Sequence, residues 1–253
     1  MSAAARPPRA VLLDAMGTLL TFEPPAPLLR AALRERLGID VGAQAAARAI
    51  RAEIAYYRAH LHEGSDRARL AALRRASADA MRAELPGAVA GADGELLTAA
   101  LLDSLRFVAY PEVPDALRAL RRLGLRLVVV SNWDVSLHER LAETGLAELV
   151  DGAVASAEIG SAKPDPAIFA HGLGLAGAAP AEAWHAGDSP EADVEGALAA
   201  GLRAVLVHRA GTPSDPDPGA RAGVRGGGAP ASAAVPEVRS LAELPALLTS
   251  VAE

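Results

Sequence analysis

Five short apolar runs, each ending at or near a polar residue, constrain this chain most. Arg9–Asp14, Leu125–Ser131, Asp151–Ser156, Ala183–Asp188 and Arg203–His208 are rich in Val, Leu and Ala and too short for stable helices. They read as buried strands. Helical patterns lie between them at Val113–Leu123, Leu137–Glu143, Pro166–Leu173 and Pro190–Ala200, often with Gly just beyond as a C-cap. Such alternation predicts an α/β fold, a three-layer Rossmann-like parallel sheet with helices on both faces.

The stretch between the first two strands breaks this rhythm. Leu28–Leu37, Ala45–Leu61, Ala68–Leu85 and Leu96–Val108 carry apolar residues three and four apart, punctuated by Gly38, Gly64 and Pro86-Gly87. The expected organisation is a discontinuous core, residues 1–22 and 109–253, with an all-helical insertion at 23–108. Gly211–Pro236 reads as a long loop rich in Gly, Pro and Ala, and Leu241–Val251 as a closing helix capped by Ser240.

Composition removes several chemistries. The chain has 253 residues and no Cys, so disulfides, thiolate metal sites and a cysteine nucleophile are excluded. A net charge of −6 argues against nucleic acid or an anionic membrane as a partner. No apolar run approaches the ~20 residues that span a bilayer, and no signal-peptide core is evident, so a cytoplasmic protein is expected. Of the 25 basic residues only Lys163 is a lysine.

Four polar stretches stand at or just after proposed strand ends, the edge where open parallel sheets bind ligands. They are Asp14-Ala-Met-Gly-Thr-Leu19, Ser131-Asn132, Lys163-Pro-Asp-Pro166 and Gly187-Asp-Ser-Pro-Glu-Ala-Asp193. A carboxylate before a Gly turn suits a nucleophile. A hydroxyl and a backbone amide suit anionic oxygens, a Lys supplies a compact charge, and a further pair of acids suits a hard cation such as Mg²⁺. The only Lys standing in this set has a chance of about one in 25 if placed at random among the basic positions. Each acid also has an ordinary use: Asp14 as a turn cap, Glu191 and Asp193 as first-turn helix acids, and Ser131 as an N-cap.

In this order and spacing the four stretches resemble the motifs of the haloacid dehalogenase-like hydrolases, over nearly the whole chain. The resemblance implies that Asp14 is a nucleophile forming an aspartyl intermediate. It implies that Ser131 and the Asn132 amide hold the transferring group, that Lys163 neutralises charge and that Thr18 orders the first loop. It further implies Mg²⁺ bound by Asp14, the Met16 carbonyl, Asp188 and Asp193. The helical insertion would be the family's cap, closing over a small-molecule substrate.

Position 16 departs from the pattern. Phosphatases of the family carry an acid there that protonates the leaving group and activates water, and Met16 does neither. Loss of such a group costs ~10²–10⁴ in rate. Three readings stay open: a Mg²⁺-dependent phosphatase-type hydrolase of a small phosphorylated metabolite, a 2-haloacid dehalogenase-like hydrolase, and a weakened protein that binds a phosphate ligand or a partner. Dehalogenases of the family also lack that acid, but they replace the metal-binding acid of the fourth motif, and Asp188 and Asp193 are both present here. In the insertion, Tyr56 and His60 share a helical face and are candidate substrate contacts, with packing as the alternative. His185 reads as structural. A monomer is the default expectation, with a dimer through an apolar cap face left open.

Overall fold

The computed structural model describes residues 8–209 and 235–250. Its strands are β1 (Ala10–Leu13), β2 (Leu20–Phe22), β3 (Phe107–Ala109), β4 (Arg126–Ser131), β5 (Gly152–Ala155), β6 (Ala183–Gly187), β7 (Arg203–Val207) and β8 (Glu237–Val238). Its α-helices are α1 (Pro25–Leu37), α2 (Ala43–His60), α3 (Arg67–Arg82), α4 (Gly94–Ser104), α5 (Val113–Arg122), α6 (Leu137–Glu143), α7 (Ser156–Ile159), α8 (Pro166–Ala176), α9 (Gly196–Ala199) and α10 (Leu244–Ser250).

Six strands form a parallel sheet in the order β5-β4-β1-β6-β7-β8. The chain fills one side of β1 with β4 and β5, then crosses to the other side with β6. The direction of winding therefore reverses at β1, and a crevice opens beyond its C-terminal end, where ligands bind in such sheets. Asp14 is the first residue past that end.

All four β1 side chains are fully buried, which only a central strand covered on both faces requires. Their period of two sends them to opposite layers. Val11 and Leu13 join Leu127, Val129, Leu117 and Leu244 in one apolar cluster, and Ala10 and Leu12 join Val128, Val130, Ile168 and Phe169 in another.

The helices α1–α4 build a third cluster of their own from Leu29, Leu33, Ile50, Met81, Leu97 and Leu101. This stretch is helical as expected, with one correction. The helical pattern read through to Val108 stops at Ser104, and Phe107–Ala109 is a strand paired antiparallel with β2. Phe22 and Phe107 pack across this ribbon with ring centroids 4.6 Å apart and planes tilted by 43°. The chain thus leaves and re-enters the sheet region through one two-stranded neck.

Two further elements differ from expectation. Pro190–Glu195 forms a wide π-type turn before the short α9, instead of one regular helix, and β8 adds an unforeseen edge strand. Ser240 caps the closing helical segment through the Ala242 amide, as expected. The Gly/Pro-rich run 211–236, except its last two residues, and Val251 lie outside the described residues. No helix among the described residues is long and apolar enough to cross a membrane.

The packing of α8 on the sheet rests on Gly172. A Cβ there would lie 2.6 Å from Val130 Cγ2 and 3.2 Å from Leu12 Cδ1. Overpacking of a tight core costs about 1–3 kcal/mol, against roughly 1 kcal/mol gained by replacing Gly with Ala in a helix. Gly172→Ala is therefore expected to lower the unfolding free energy by up to about 2 kcal/mol, read from the denaturant midpoint at constant slope. Unchanged or increased stability would show that α8 yields freely.

Candidate active site

Three of the four polar stretches meet through a single ammonium group. Lys163 Nζ donates to Asp14 Oδ1 at 2.6 Å and to Asp193 Oδ1 at 2.5 Å, and all three residues are buried. Ser131, the last residue of β4, adds the remaining stretch by donating its hydroxyl to Asp14 Oδ1 at 3.0 Å. Its side chain serves Asp14 and caps no helix; the N-cap of α6 is Ser136.

The loops are shaped to allow this convergence. Gly17 has φ +84, and a Cβ there would lie 2.2 Å from Asp188 Oδ2. Only glycine lets the turn after Asp14 pass so close to the fourth stretch. The Asn132 side chain holds Lys163 in place from both ends, accepting from its amide at 2.7 Å and donating to its carbonyl at 3.0 Å. Asn132 is therefore a brace for the lysine loop, and any substrate contact from it falls to the main chain.

Asp193 is engaged on both oxygens. Oδ1 also accepts from His185 Nε2 at 2.8 Å, and Oδ2 from the Ser189 amide at 2.9 Å. An ionised carboxylate only accepts, so His185 carries its proton on Nε2. His185 Nδ1 is then a buried nitrogen without a hydrogen-bond partner among the described residues, and the ring rests edge-on to Phe169. His185 is structural in the sense that it supports Asp193 from behind. Glu191 is exposed.

The charges do not balance. Asp14, Asp188 and Asp193 each place a carboxylate oxygen within 4.8 Å of the others. Burial pushes Asp193 up, but Lys163 and His185 outweigh it and hold its carboxyl well below the usual range. Burial would weaken the Lys163 ammonium, and Asp14 and Asp193 reverse that. Asp14 remains raised, because burial and the Asp193 charge exceed the help from Lys163. Asp188 faces solvent on one side, yet protein packed around its carboxyl and the charges of Asp14 and Asp193 push it up to about 7. One cation among three carboxylates leaves room for a second, and all-oxygen donors of this kind suit a hard ion such as Mg²⁺. The residues therefore fit that ion. Asp188, with no side-chain donor among the described residues, is the carboxylate most open to it.

Among the described residues, none of the side chains of the remaining candidates is hydrogen-bonded to Asp14, Ser131, Lys163 or Asp193. Met16 is half-buried and packs against the core. Thr18 is fully buried, and its hydroxyl has no hydrogen-bond partner among the described residues. Tyr56 and His60 stack on each other with centroids 4.1 Å apart, and His60 Nδ1 lies 2.7 Å from the Tyr56 carbonyl. Among the described residues, no acid or histidine of the helical insertion is hydrogen-bonded to Asp14, Ser131 or Lys163.

One side chain of α2 that crosses to the core is Tyr57. Its hydroxyl donates to Asp134 Oδ2 at 2.8 Å, just beyond Ser131-Asn132, while the Val135 amide donates to the Gly64 carbonyl at 3.0 Å. One turn earlier on α2, burial pushes the Glu53 carboxyl up to about 7. The sequence offered only the acid in Ser131-Asn-Trp-Asp134 and a tyrosine pair as signals for this contact.

Asp188 gives a sign-specific test. Its folded carboxyl is raised, so its ionisation opposes folding. The penalty begins as the unfolded carboxyl ionises near 3.8 and is complete above about 7. Asp188→Asn removes it. Without divalent cations, the variant's Tm should rise relative to the parent between pH 5 and pH 8, by a few degrees at most because solvent screens the open side. A difference independent of pH would contradict the uncompensated cluster.

The family model for haloacid dehalogenase-like hydrolases matches residues 8–201. A Thermus thermophilus protein named phosphoserine phosphatase is 41% identical over 124 residues, 49% of this chain and 50% of that protein. The chain thus spans about half the length of that curated relative. The solved structure of a HAD phosphatase from Thermococcus onnurineus superposes with a TM-score of 0.61 at 26% identity, over 95% of this chain and 97% of the other. A 2-haloacid dehalogenase from Pseudomonas syringae pv. Tomato shares the fold, with a TM-score of 0.59 at 24% identity over 96% and 99% of the two chains. With the family model spanning most of its length, the chain belongs to the haloacid dehalogenase-like hydrolases.

Proposed function

We propose that this chain is a Mg²⁺-dependent phosphatase-type hydrolase of a small phosphorylated metabolite. Residues 1–22 and 109–253 act as the catalytic core and 23–108 as a helical cap. The observation that carries this reading is the Lys163 bridge between Asp14 and Asp193, with Asp188 beside it and negative charge to spare.

Asp14 is the nucleophile. Its carboxylate attacks phosphorus, the bond to the leaving oxygen breaks, and water later hydrolyses the aspartyl phosphate. The Ser131 hydroxyl and the Asn132 amide hold phosphoryl oxygens. Lys163 favours the ionised form of Asp14 against the burial that opposes it, and offsets charge on the transferring group. Asp14, Asp188, the Met16 carbonyl and Asp193 would hold Mg²⁺, which when bound would supply the charge neutralisation that one lysine does not complete.

Met16 sets the substrate preference. With no proton donor at this position, leaving groups stable as anions are favoured, and acyl phosphates leave as carboxylates. The dehalogenase alternative draws on the same missing acid. The retained Asp188 and Asp193 weigh against it, since displacement of halide needs no metal acids.

Assay of phosphorylated metabolites and acetyl phosphate, with Mg²⁺ or with EDTA, tests the proposal. Expected are Mg²⁺-dependent turnover fastest on acetyl phosphate, its loss in Asp14→Asn, and a gain of ~10²-fold or more on phosphate monoesters in Met16→Asp. Halide release from 2-chloropropionate in EDTA would establish the dehalogenase. No turnover by parent or Met16→Asp, with Mg²⁺ and phosphate still raising Tm, would leave a binding protein.

A further inference from the structure

Arg209, two residues beyond β7, reaches across the sheet edge to the turn that follows Asp14. Its Nε donates to the Gly17 carbonyl at 3.1 Å and its Nη2 to the Thr18 carbonyl at 2.7 Å. Nη1 donates to Glu112 Oε1 at 2.5 Å, and the guanidinium carbon lies 3.6 Å from the centre of the Tyr110 ring. The side chain is only 9% exposed. Partial burial pushes the Glu112 carboxyl up, but Arg209 outweighs this and holds it below the usual range.

These four residues belong to two segments. Gly17 and Thr18 close the nucleophile turn and lead into β2. Tyr110 and Glu112 follow β3 and open α5. They are the outgoing and returning limbs of the helical insertion. The turn bonds to itself through the Gly17 amide on Leu20 O and the Leu19 and Leu20 amides on Ala15 O, all at 2.8 Å. Those bonds use none of the Gly17 and Thr18 carbonyls, and Arg209 takes both. A planar fork can serve two successive carbonyls, a carboxylate and an aromatic face together, whereas an ammonium on a flexible stem cannot.

We infer that Arg209 is a positioning residue: it locks the turn carrying Met16 and the base of the β2/β3 neck onto the sheet edge, and so fixes where Asp14 and the Met16 carbonyl stand relative to Asp188. Its effect on the reaction rests on the proposed role of Asp14; its effect on the two segments does not.

The test uses Arg209→Lys, which keeps charge and burial but loses the fork, with Glu112→Gln as a milder variant should Arg209→Lys fold poorly. Amide hydrogen exchange, Mg²⁺ binding by titration calorimetry, and kcat and KM are measured. Exchange at Gly17, Leu19, Leu20 and Tyr110 is expected to quicken at least tenfold in Arg209→Lys, and in the same residues by less in Glu112→Gln. Exchange in β4 should not change. Mg²⁺ affinity and kcat should each fall at least tenfold, with KM altered less than threefold. Unchanged exchange in both segments, or acceleration spread evenly over the sheet, would overturn the inference. So would localised acceleration with Mg²⁺ affinity and kcat both equal to a functional parent's. If the parent itself neither binds Mg²⁺ nor turns over substrate, the phosphatase reading fails, and the exchange pattern alone decides the clamp.

Discussion

Everything at the sheet edge depends on one buried ammonium. Among the described residues, Lys163 bridges two of three converging carboxylates, and without it Asp14 and Asp193 would be two buried like charges with no ammonium between them. Removing one partner of such a buried set strands the others at several kcal/mol. A single lysine serves because its compact head reaches both acids at once, while the Asn132 amide fixes its main chain. The remaining negative charge raises Asp188 and Asp14, and that imbalance is the physical basis for expecting a divalent ion.

The cluster follows from topology as much as from chemistry. β1 lies between β4 and β6, so residues far apart in the chain leave adjacent strands at one edge. Asp14, Ser131 and Asp188 need only modest loop geometry to meet, supplied by Gly17 on one side and the wide turn Pro190–Glu195 on the other. The helices between β2 and β3 carry their own apolar cluster, so they fold as a packed unit on a narrow neck. Tyr57–Asp134 and the Gly64–Val135 backbone bond then tie that unit to the loop beside Ser131. Specificity has a natural place at this seam, between the helices and the motif loops.

The sheet was legible because its strands are short, apolar and bounded by chemistry-bearing residues. Asp14, Ser131, Lys163 and Asp193 were found for the same reason, and the structure brings them together. The neck was not legible: Phe107–Ala109 continues the three- and four-residue apolar spacing of α4, and only pairing with Leu20–Phe22 makes it a strand. Arg209 was hidden by composition, since arginine is the default cation of this chain and its meaning lies in contacts 191 and 192 residues away. Tyr56 and His60 were chosen for a shared face. That face closes on itself, and their neighbour Tyr57 makes the long-range contact.

The central claim is that Asp14 becomes covalently phosphorylated. On the proposed mechanism, the lack of an acid at Met16 slows activation of the attacking water, so the intermediate should accumulate. Rapid acid quench of the protein with acetyl phosphate and Mg²⁺, followed by peptide mass spectrometry, measures this directly. The account predicts one added phosphoryl group on Asp14, lost in Asp14→Asn and absent in EDTA. An unmodified Asp14 during active turnover, or a phosphoryl group on another residue, would contradict it.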